Sequence, residues 1–312
     1  MIALDAMWCA AHPLPAHGEA TDKNARGRVL LIGGSAFVPG ALRLTAEAAL
    51  RAGAGKLQMA TVESAAMPLG VLVPEAAMIG LPADNQGEIT ADAADAVLDL
   101  LDRCDALVIG PGMSEQANAR GLLKQLLMQP MNGATIILDA AAATCAGALQ
   151  PLIVGYAGEI IFTPHHGEMA ALMDVTKEAV AEDPHGIARE AAKRFGAVVV
   201  LKAADTVIAT PDGEMFVYSS DCVGLATGGS GDVLAGLIGG LAARGAPAVV
   251  AAAWGVWLHG RAGQAAAERI GPIGFLARDL VEQVPRLMAA ASCPDGAAPG
   301  DGQLASVIHT GA

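Results

Sequence analysis

The chain has 312 residues, of which 53% are hydrophobic and 16% are charged, and its mean hydropathy is +0.45. This composition excludes a largely disordered polar chain, because so many apolar residues can form a sizeable core. The 19 Lys and Arg residues and 32 Asp and Glu residues give a formal net charge of -13, which argues against nucleic acid as a partner, since a phosphate backbone is bound by clustered cations.

The first predicted unit is a strand, a helix and a second strand. Residues 29–32 are all apolar and end at the tight turn Gly33-Gly34-Ser35, which is typical of a buried strand. Residues 41–52 carry apolar side chains at helical spacing, and the run 57–62 predicts the next strand. Residues 1–24 precede this unit and are expected to form an N-terminal segment.

The same alternation continues along the chain. Helices are predicted at 91–101, 117–128 and 186–195, strands at 106–109, 135–138, 159–162 and 197–201, an antiparallel hairpin at 206–218, and further helices at 232–243, 246–269 and 278–290. Strands that alternate with helices predict a mostly parallel sheet with helices on both faces. Residues 25–290 are therefore expected to form one three-layer α/β domain, and residues 291–312, rich in Gly, Pro and Ala, a flexible tail.

The cysteines and the longest apolar runs point to a cytoplasmic protein. The five cysteines are scattered and include no C-x-x-C pair, so the sequence suggests neither a disulfide framework nor a thiolate zinc site. The apolar runs 233–243 and 245–258 are both shorter than the ~18 residues that a membrane-spanning helix needs. We therefore expect no membrane partner.

Glycine-rich or polar residues directly follow four of the apolar runs, at Gly33-Gly34-Ser35, Gly110-Pro111-Gly112, Asp139 and residues 163–168. Because ligands of such folds bind beyond the carboxyl ends of the strands, these residues are expected to converge on one site. The chain contains no G-x-x-x-x-G-K-[ST] sequence, and residues 33–40 do not match G-x-G-x-x-G, so neither of these phosphate-binding motifs is predicted.

The sharpest motif is the turn Thr227-Gly228-Gly229-Ser230-Gly231-Asp232, which leads straight into an apolar helix. Such a turn aims several backbone N–H groups and the positive end of the helix dipole at one place, where they can hold an anion. Asp232 could take a proton from a hydroxyl that is being phosphorylated. Taken alone, the motif favours a simpler role, in which Asp232 caps the helix.

Three other side chains each allow a functional and a structural interpretation, and a fourth is interpreted as structural only. Lys202 follows a strand and could contact a nucleotide, or it could be a solvated lysine. His165 could exchange a proton near neutral pH, or it could bond only to the loop backbone. Glu168 could hold a metal ion through water or cap the next helix. His259 lies in an apolar helix and is expected to serve packing or an interface.

In their order along the chain, these segments resemble the ADP-dependent NAD(P)H-hydrate dehydratases of the ribokinase-like superfamily. The resemblance rests on the segments Gly33-Gly34-Ser35, Pro39-Gly40-Ala41, Gly53-Ala54-Gly55, Gly110-Pro111-Gly112, Leu138-Asp139-Ala140, Thr163-Pro164-His165, Gly167-Glu168, Lys202–Thr206, Gly229–Asp232 and Leu258-His259-Gly260. It covers roughly residues 25 to 290, and this ordered combination is far more specific than any single motif. It implies a three-layer ribokinase-like fold.

The resemblance implies a repair reaction. ADP would phosphorylate the ring hydroxyl of (6S)-NADHX or NADPHX, and loss of phosphate would restore NADH or NADPH and leave AMP. It further implies that Asp232 is the general base, that Mg²⁺ accompanies the phosphates on ligands the sequence does not identify, and that the chain forms a homotetramer. The residues implied to face the hydrated dinucleotide are Ala41, Gly112, His165 and Asp232. Those implied to bind the adenine nucleotide are Lys202, Ala203, Ala204, Asp205, Thr206, Gly229, Ser230 and Gly231.

Three positions depart from the family pattern. His166 stands where proline is common, Ser230 where threonine is usual and Ala203 where glycine is common, and only Ala203 is expected to crowd the nucleotide. Fewer than ~35 residues precede the first predicted strand, so we expect no epimerase domain there. Two rival interpretations stay open: an ATP-dependent kinase of the same superfamily for a small alcohol, of the hydroxymethylpyrimidine or hydroxyethylthiazole type, and a nucleotide-binding regulatory module without turnover.

Overall fold

The alternation of strands and helices builds one continuous sheet in the computed structural model, which describes residues 1–16, 22–114, 116–129 and 133–292. The strands are β1 (Ile2–Ala3), β2 (Arg28–Ile32), β3 (Lys56–Val62), β4 (Ala76–Leu81), β5 (Ala106–Ile109), β6 (Thr135–Leu138), β7 (Ile160–Phe162), β8 (Val198–Leu201), β9 (Asp205–Ala209) and β10 (Met215–Ser219). Their order in the sheet is β1-β10-β9-β8-β7-β6-β5-β2-β3-β4. Only β9 runs antiparallel to its neighbours, so the mostly parallel sheet and the hairpin that were predicted are confirmed.

Helices cover both faces of this sheet. They are α1 (Ala6–Ala11), α2 (Pro39–Arg51), α3 (Glu63–Leu72), α4 (Leu98–Leu101), α5 (Gln116–Leu127), α6 (Ala140–Cys145), α7 (Gln150–Val154), α8 (His166–Met173), α9 (Lys177–Glu182), α10 (Pro184–Phe195), α11 (Ser230–Ala243), α12 (Ala248–Ile270), α13 (Ala277–Val281) and α14 (Val284–Ser292). Strands β5, β6 and β8 are buried along their whole length, as expected for a sheet packed on both sides. In the described part of the chain, no helix is both long and apolar enough to cross a membrane.

Helices α2 and α11 pack side by side and run in the same direction. A Cβ added at Gly236 would lie 2.2 Å from the Thr45 carbonyl oxygen, and one added at Gly240 would lie 2.5 Å from the Ala49 carbonyl oxygen. The glycines thus let the two backbones approach closely. Because the contacts advance together along both helices, the two N-termini, with their positive dipole ends, lie at the same edge of the sheet.

The structure corrects several predicted elements. The helix predicted at 278–290 is two helices, α13 and α14, because Pro285 has no N–H with which to continue the first. The helix predicted at 91–101 is a 3-10 helix at Ala91–Ala96 followed by the single turn α4. The elements that were not predicted are β1, α1, α3, β4, α6, α7 and α9. The expectation of a flexible tail falls largely on residues 293–312, which lie outside the described residues.

The first residues of the chain extend one edge of the sheet. Strand β1 pairs in parallel with β10, and the Trp8 ring stacks on His12 with 4.2 Å between ring centroids. The Trp254 indole N–H donates a hydrogen bond of 2.8 Å to the His12 carbonyl oxygen, which ties this segment to α12. Residues 1–12 therefore pack on the sheet that carries the candidate site.

Candidate active site

The turns that follow β2 and β5 meet at the carboxyl edge of the sheet. The Gly34 N–H donates to the Pro111 carbonyl oxygen at 2.7 Å. Gly112 has a positive φ of 71°, and a Cβ there would lie 2.9 Å from the Ala41 Cβ. Only glycine combines this backbone conformation with so close an approach. The structure thus brings Gly112 and Ala41, both predicted to face the dinucleotide, into contact at the N-terminus of α2.

Buried charges lie where β6, β7 and β8 end. The Lys202 ammonium Nζ lies 2.8 Å from Asp139 Oδ1 and 3.6 Å from Glu168 Oε2. The Thr163 hydroxyl donates to the same Asp139 oxygen at 2.7 Å. Asp139 is 3% exposed and the Lys202 side chain 19%, so Lys202 is not the solvated lysine of the structural interpretation.

Helix α8 begins with a capping box. His165 Nδ1 accepts hydrogen bonds from the N–H groups of Gly167 and Glu168, and Glu168 Oε2 accepts one from the His165 N–H. The capping interpretation of Glu168 is therefore confirmed. Because Nδ1 of His165 is an acceptor here, the neutral ring carries its proton on Nε2, on a side chain that is 60% exposed.

Asp232 does not cap α11. The N-cap residue is Gly229, with φ of 88°, and no side chain caps this helix. Asp232 lies in the first turn, and burial, then the nearby Asp139 carboxylate, raise its pKa to about 7, although the Lys202 charge opposes this. A carboxyl group whose pKa lies near neutral pH is suited to accept a proton from a substrate.

The glycine turn is anchored from behind by α12. His259 Nε2 lies 2.8 Å from the Ser230 hydroxyl and 3.0 Å from the Ser230 carbonyl oxygen. Burial lowers the pKa of His259 to about 4, so this imidazole is neutral at physiological pH. The packing role expected for His259 is confirmed, and the contact shows that it also fixes the start of α11.

A cavity of about 900 Å³ opens beside this turn. Its polar end is lined by Lys202, Ser230, Gly231 and His165, and its walls include the apolar side chains of Tyr218, Val223, Leu225 and Val256. A cavity of this size and composition suits a small molecule with an anionic end and a flat apolar end.

Most of the predicted nucleotide residues line this cavity. Those that do are Lys202, Ala203, Ala204, Thr206, Ser230 and Gly231, while Asp205 and Gly229 are not among its lining residues. His165, predicted to face the dinucleotide, also lines it, whereas Ala41 and Gly112 lie on the α2 side. Ala41 and Gly112 are thus not part of the cavity lining, and they lie at the N-terminus of α2.

Sequence reasoning missed two features of the site. It places Asp139 at this edge of the sheet without a role, and it does not foresee the contact of His259 with Ser230. The position of Asp139 directly after an apolar run was the available signal for the first. No spacing in the sequence pairs residues 230 and 259.

Comparisons with known proteins bear on this site. A sequence model of the NAD(P)H-hydrate dehydratase family matches residues 29–286. The chain is 48% identical over 281 residues to the ADP-dependent (S)-NAD(P)H-hydrate dehydratase of Xanthomonas campestris, in a match that covers 89% of this chain and 93% of the relative.

Two solved structures are similar over most of their length. A ribokinase-like superfamily protein from Enterococcus faecalis has a TM-score of 0.79 at 26% identity, covering 93% of this chain and 96% of that one. The ADP/ATP-dependent NAD(P)H-hydrate dehydratase from Bacillus subtilis, co-crystallized with ATP/Mg²⁺, has a TM-score of 0.78 at 27% identity, covering 93% and 98%. They confirm the ribokinase-like arrangement predicted from the sequence.

Proposed function

The chain belongs to the NAD(P)H-hydrate dehydratase family, and we propose that its carboxyl-edge site carries out the reaction of that family with Asp232 as the general base. The activity is the ADP-dependent dehydration of (6S)-NADHX and NADPHX to NADH and NADPH, which makes the protein a carbon–oxygen lyase. The observation that carries the assignment of Asp232 is its place in the first turn of α11, where it caps nothing and its pKa is raised to about 7.

In the proposed first step, Asp232 takes the proton of the ring hydroxyl. The hydroxyl oxygen then bonds to the β-phosphorus of ADP, and the bond from that phosphorus to AMP breaks. Backbone N–H groups of the glycine turn, the dipole of α11 and the Lys202 ammonium stabilise the charge on the transferred group. The protein thus supplies position and charge rather than covalent chemistry.

In the second step, the ring phosphate leaves. The ring nitrogen supplies the electron pair that expels it, and loss of a proton from the neighbouring ring carbon restores the double bond. Phosphate is a far better leaving group than the hydroxide that direct dehydration would require, which explains why ADP is consumed. The products are the reduced dinucleotide, AMP and phosphate.

The nucleotide is proposed to occupy the cavity of about 900 Å³, with its phosphates at the end formed by Lys202, Ser230 and Gly231. Tyr218, Val223 and Leu225 would contact the adenine ring. The hydrated dinucleotide is proposed to approach from Ala41 and Gly112. Asp232 is proposed to lie between these two binding regions, where the hydroxyl and the phosphate must meet.

Mg²⁺ is proposed to accompany ADP. In the described part of the chain, no group of three or more His, Cys, Asp or Glu side chains could hold a metal ion. Because these side chains offer few ligands, we propose that the ion is held mainly by substrate phosphates and water, as is usual for Mg²⁺ in phosphoryl transfer. When bound, the ion would screen the phosphate charge.

We propose residues 25–290 as the dehydratase domain, which contains the matched region 29–286. A homotetramer in the cytoplasm is proposed from the family resemblance, and light scattering after gel filtration would measure its mass. The free thiols of Cys9, Cys104 and Cys145 are compatible with a reducing compartment.

The test of Asp232 is the recovery of reduced-nicotinamide absorbance from hydrated NADH with Mg²⁺ and ADP. We expect recovery with the wild-type chain. In Asp232→Asn, turnover should fall by about 100-fold or more, the scale of general-base catalysis. ADP binding, measured by calorimetry, should be retained in this variant. The control is Asp95→Asn, which removes an exposed carboxyl group from the helix Ala91–Ala96.

Two results would contradict the proposal. Full turnover by Asp232→Asn would show that Asp232 is not the base. A stable phosphorylated product without recovered absorbance would indicate the rival small-alcohol kinase chemistry, and running ATP in parallel with ADP identifies the donor. Binding of ADP without any turnover in either protein would favour the regulatory module.

A further inference from the structure

Asp139 occupies a helix N-cap position but does not act as a cap. It directly precedes α6, and its side chain makes no hydrogen bond to the first turn of that helix. Its carboxylate instead accepts hydrogen bonds from the Thr163 hydroxyl at 2.7 Å and from the Lys202 ammonium at 2.8 Å. An Asp in this position ordinarily caps the helix, so a different use of this side chain needs an explanation.

The backbone around Asp139 is held in an unusual conformation. Ala140 has a positive φ of 46°, one of two such non-glycine residues in the described ranges. On the facing turn, a Cβ at Gly110 would lie only 1.9 Å from the Asp139 carbonyl oxygen. The Asp139 N–H is bonded to the Ile109 carbonyl oxygen at 3.1 Å. Conformations of this kind persist only where the surrounding structure imposes them, and they cluster at functional sites.

Lys202, the ion-pair partner of Asp139, contacts the turn that carries Asp232. Lys202 is fixed by a backbone hydrogen bond from its N–H to the Pro164 carbonyl oxygen, at 2.8 Å. A Cβ at Gly231 would lie 3.3 Å from Lys202 Nζ, so the ammonium group lies against the residue that precedes Asp232. Thr163, Asp139 and Lys202 thus form a buried chain of contacts from the end of β7 to the start of α11.

We propose that Asp139 is a positioning residue of this site: its carboxylate fixes the Lys202 ammonium against the glycine turn, and the resulting ion pair determines how readily Asp232 accepts the substrate's proton. The proposal rests on the proposed function for its consequence in catalysis. The contacts themselves do not depend on that function.

The charges that face Asp232 give the proposal a definite sign. In the described structure they are Asp139 after β6, Lys202 after β8 and Glu168 in α8. His259 on α12 touches the same turn but is neutral near pH 7, since burial lowers its pKa to about 4. Two of these four groups form the ion pair, and they act on Asp232 in opposite directions.

Neutralising each member of the pair should therefore shift Asp232 in opposite directions. Asp139→Asn removes a like charge and leaves Glu168, at 3.6 Å, as the remaining carboxylate partner of Lys202, so Asp232 should hold its proton less tightly. Lys202→Gln removes the opposite charge, so Asp232 should hold its proton more tightly. Asn and Gln keep side chains of similar size that can preserve hydrogen bonds to Thr163 and Asp139.

The experiment is a titration of the Asp232 carboxyl carbon by ¹³C NMR in the full chain without substrates, with the signal assigned through Asp232→Asn. We expect the midpoint to fall by about one pH unit in Asp139→Asn and to rise in Lys202→Gln, the lower end of the shifts that neighbouring charges cause. The acid limb of the pH profile of kcat/KM should move in the same directions. Asp105→Asn, which removes a carboxyl group that binds the Arg28 N–H at the opposite edge of the sheet, is the control and should move neither.

The outcomes separate this proposal from the proposed function. Unchanged midpoints, or shifts of the same sign in both variants, overturn the role of Asp139. If Asp139→Asn does not fold, Lys202→Gln decides alone, because an unchanged midpoint there overturns the proposal as well. If the wild-type chain does not dehydrate NADHX, the proposed function fails, and the NMR titration still tests the ion pair.

Discussion

At the scale of single residues, the site depends on a carboxyl group whose environment opposes its charge. Burial and the neighbouring Asp139 carboxylate raise the pKa of Asp232 to about 7, so both the neutral and the charged form of the proposed base exist near neutral pH. The same burial that makes Asp232 a better proton acceptor therefore makes its ionised form costly for the fold. The proposed activity needs the ionised form of this residue, whereas the stability of the fold favours the neutral form.

Asp232→Asn is accordingly expected to stabilise the fold while it removes the proposed base. A carboxyl group whose pKa is raised on folding contributes stability below its unfolded pKa, and that contribution is lost as pH rises through the folded pKa of about 7. The advantage of the Asn variant should thus grow between about pH 4 and pH 7 and reach on the order of 1–4 kcal/mol at pH 8. Urea unfolding at pH 5 and pH 8 measures it. An equal difference at both pH values would contradict ionisation of Asp232 as the cause, and Asp95→Asn should show no pH-dependent gain.

The sequence indicated which residues lie at the carboxyl edge of the sheet better than it indicated the contacts between them. Lys202 and Asp232 were identified because each directly follows or begins a recognisable element. The ion pair of Lys202 with Asp139 joins residues 63 positions apart, through the ends of two strands that are not neighbours in the sheet. No local pattern encodes such a contact, which exists only once the sheet order is known.

At the scale of elements, the close contact between α2 and α11, here called the seam, positions the N-termini of both helices. Gly236 and Gly240 let the helices approach so closely that a single added methyl group would overlap a backbone oxygen of α2. Because both helices begin at the carboxyl edge of the sheet, their spacing fixes the distance between the proposed binding regions for dinucleotide and nucleotide.

Gly236→Ala tests this seam. The new Cβ would lie 2.2 Å from the Thr45 carbonyl oxygen, so the helices must separate, and we expect a loss of about 1–3 kcal/mol in the free energy of unfolding together with lower kcat. Gly40→Ala is the stability control, since this α2 glycine has no atom within 4 Å of an added Cβ and alanine favours a helix. Chemical denaturation and initial rates give both quantities. Wild-type stability in Gly236→Ala would show that the seam is more compliant than its geometry indicates.

Strand β4 and helix α3, two of the elements that the sequence did not predict, share a physical cause. Strand β4 lies at the sheet edge with most of its residues only partly buried, so its apolar pattern is weak. Helix α3 contains Pro68 and exposes Met67 and Val71, which obscures the usual apolar face. The interior strands were predicted because burial on both faces requires continuous apolar runs. The apolar pattern therefore predicted the interior strands of the sheet and missed the edge strand β4.

At the scale of the whole molecule, the start of the chain completes the side of the sheet where the nucleotide is proposed to bind. Strand β1 covers the free edge of β10, and β10 carries Tyr218, which lines the cavity. Trp8 holds this segment in place, stacked on His12 and meeting the Phe216 ring edge to face at 5.5 Å between centroids. The order of the cavity wall thus depends on residues more than 200 positions away in sequence.

Trp8→Ala is expected to lower the free energy of unfolding by about 3 kcal/mol, the usual cost of removing a large aromatic side chain from a core. The KM for ADP should rise, because β10 loses support, while the KM for the hydrated dinucleotide should change little. Trp8→Phe retains an aromatic ring and should restore most of both properties. Denaturation curves and initial rates check this, and an equal change in both KM values would contradict a local effect on the nucleotide wall.

The proposed placement of the two substrates on different sides of the N-terminus of α11 has a consequence for the order of events in catalysis. The cavity lined by Lys202 and Tyr218 contains neither Ala41 nor Gly112 among its lining residues. If the dinucleotide approaches from Ala41 and Gly112, as proposed, neither substrate has to pass through the binding region of the other. We therefore expect random addition through a ternary complex, in which the two substrates meet only at Asp232.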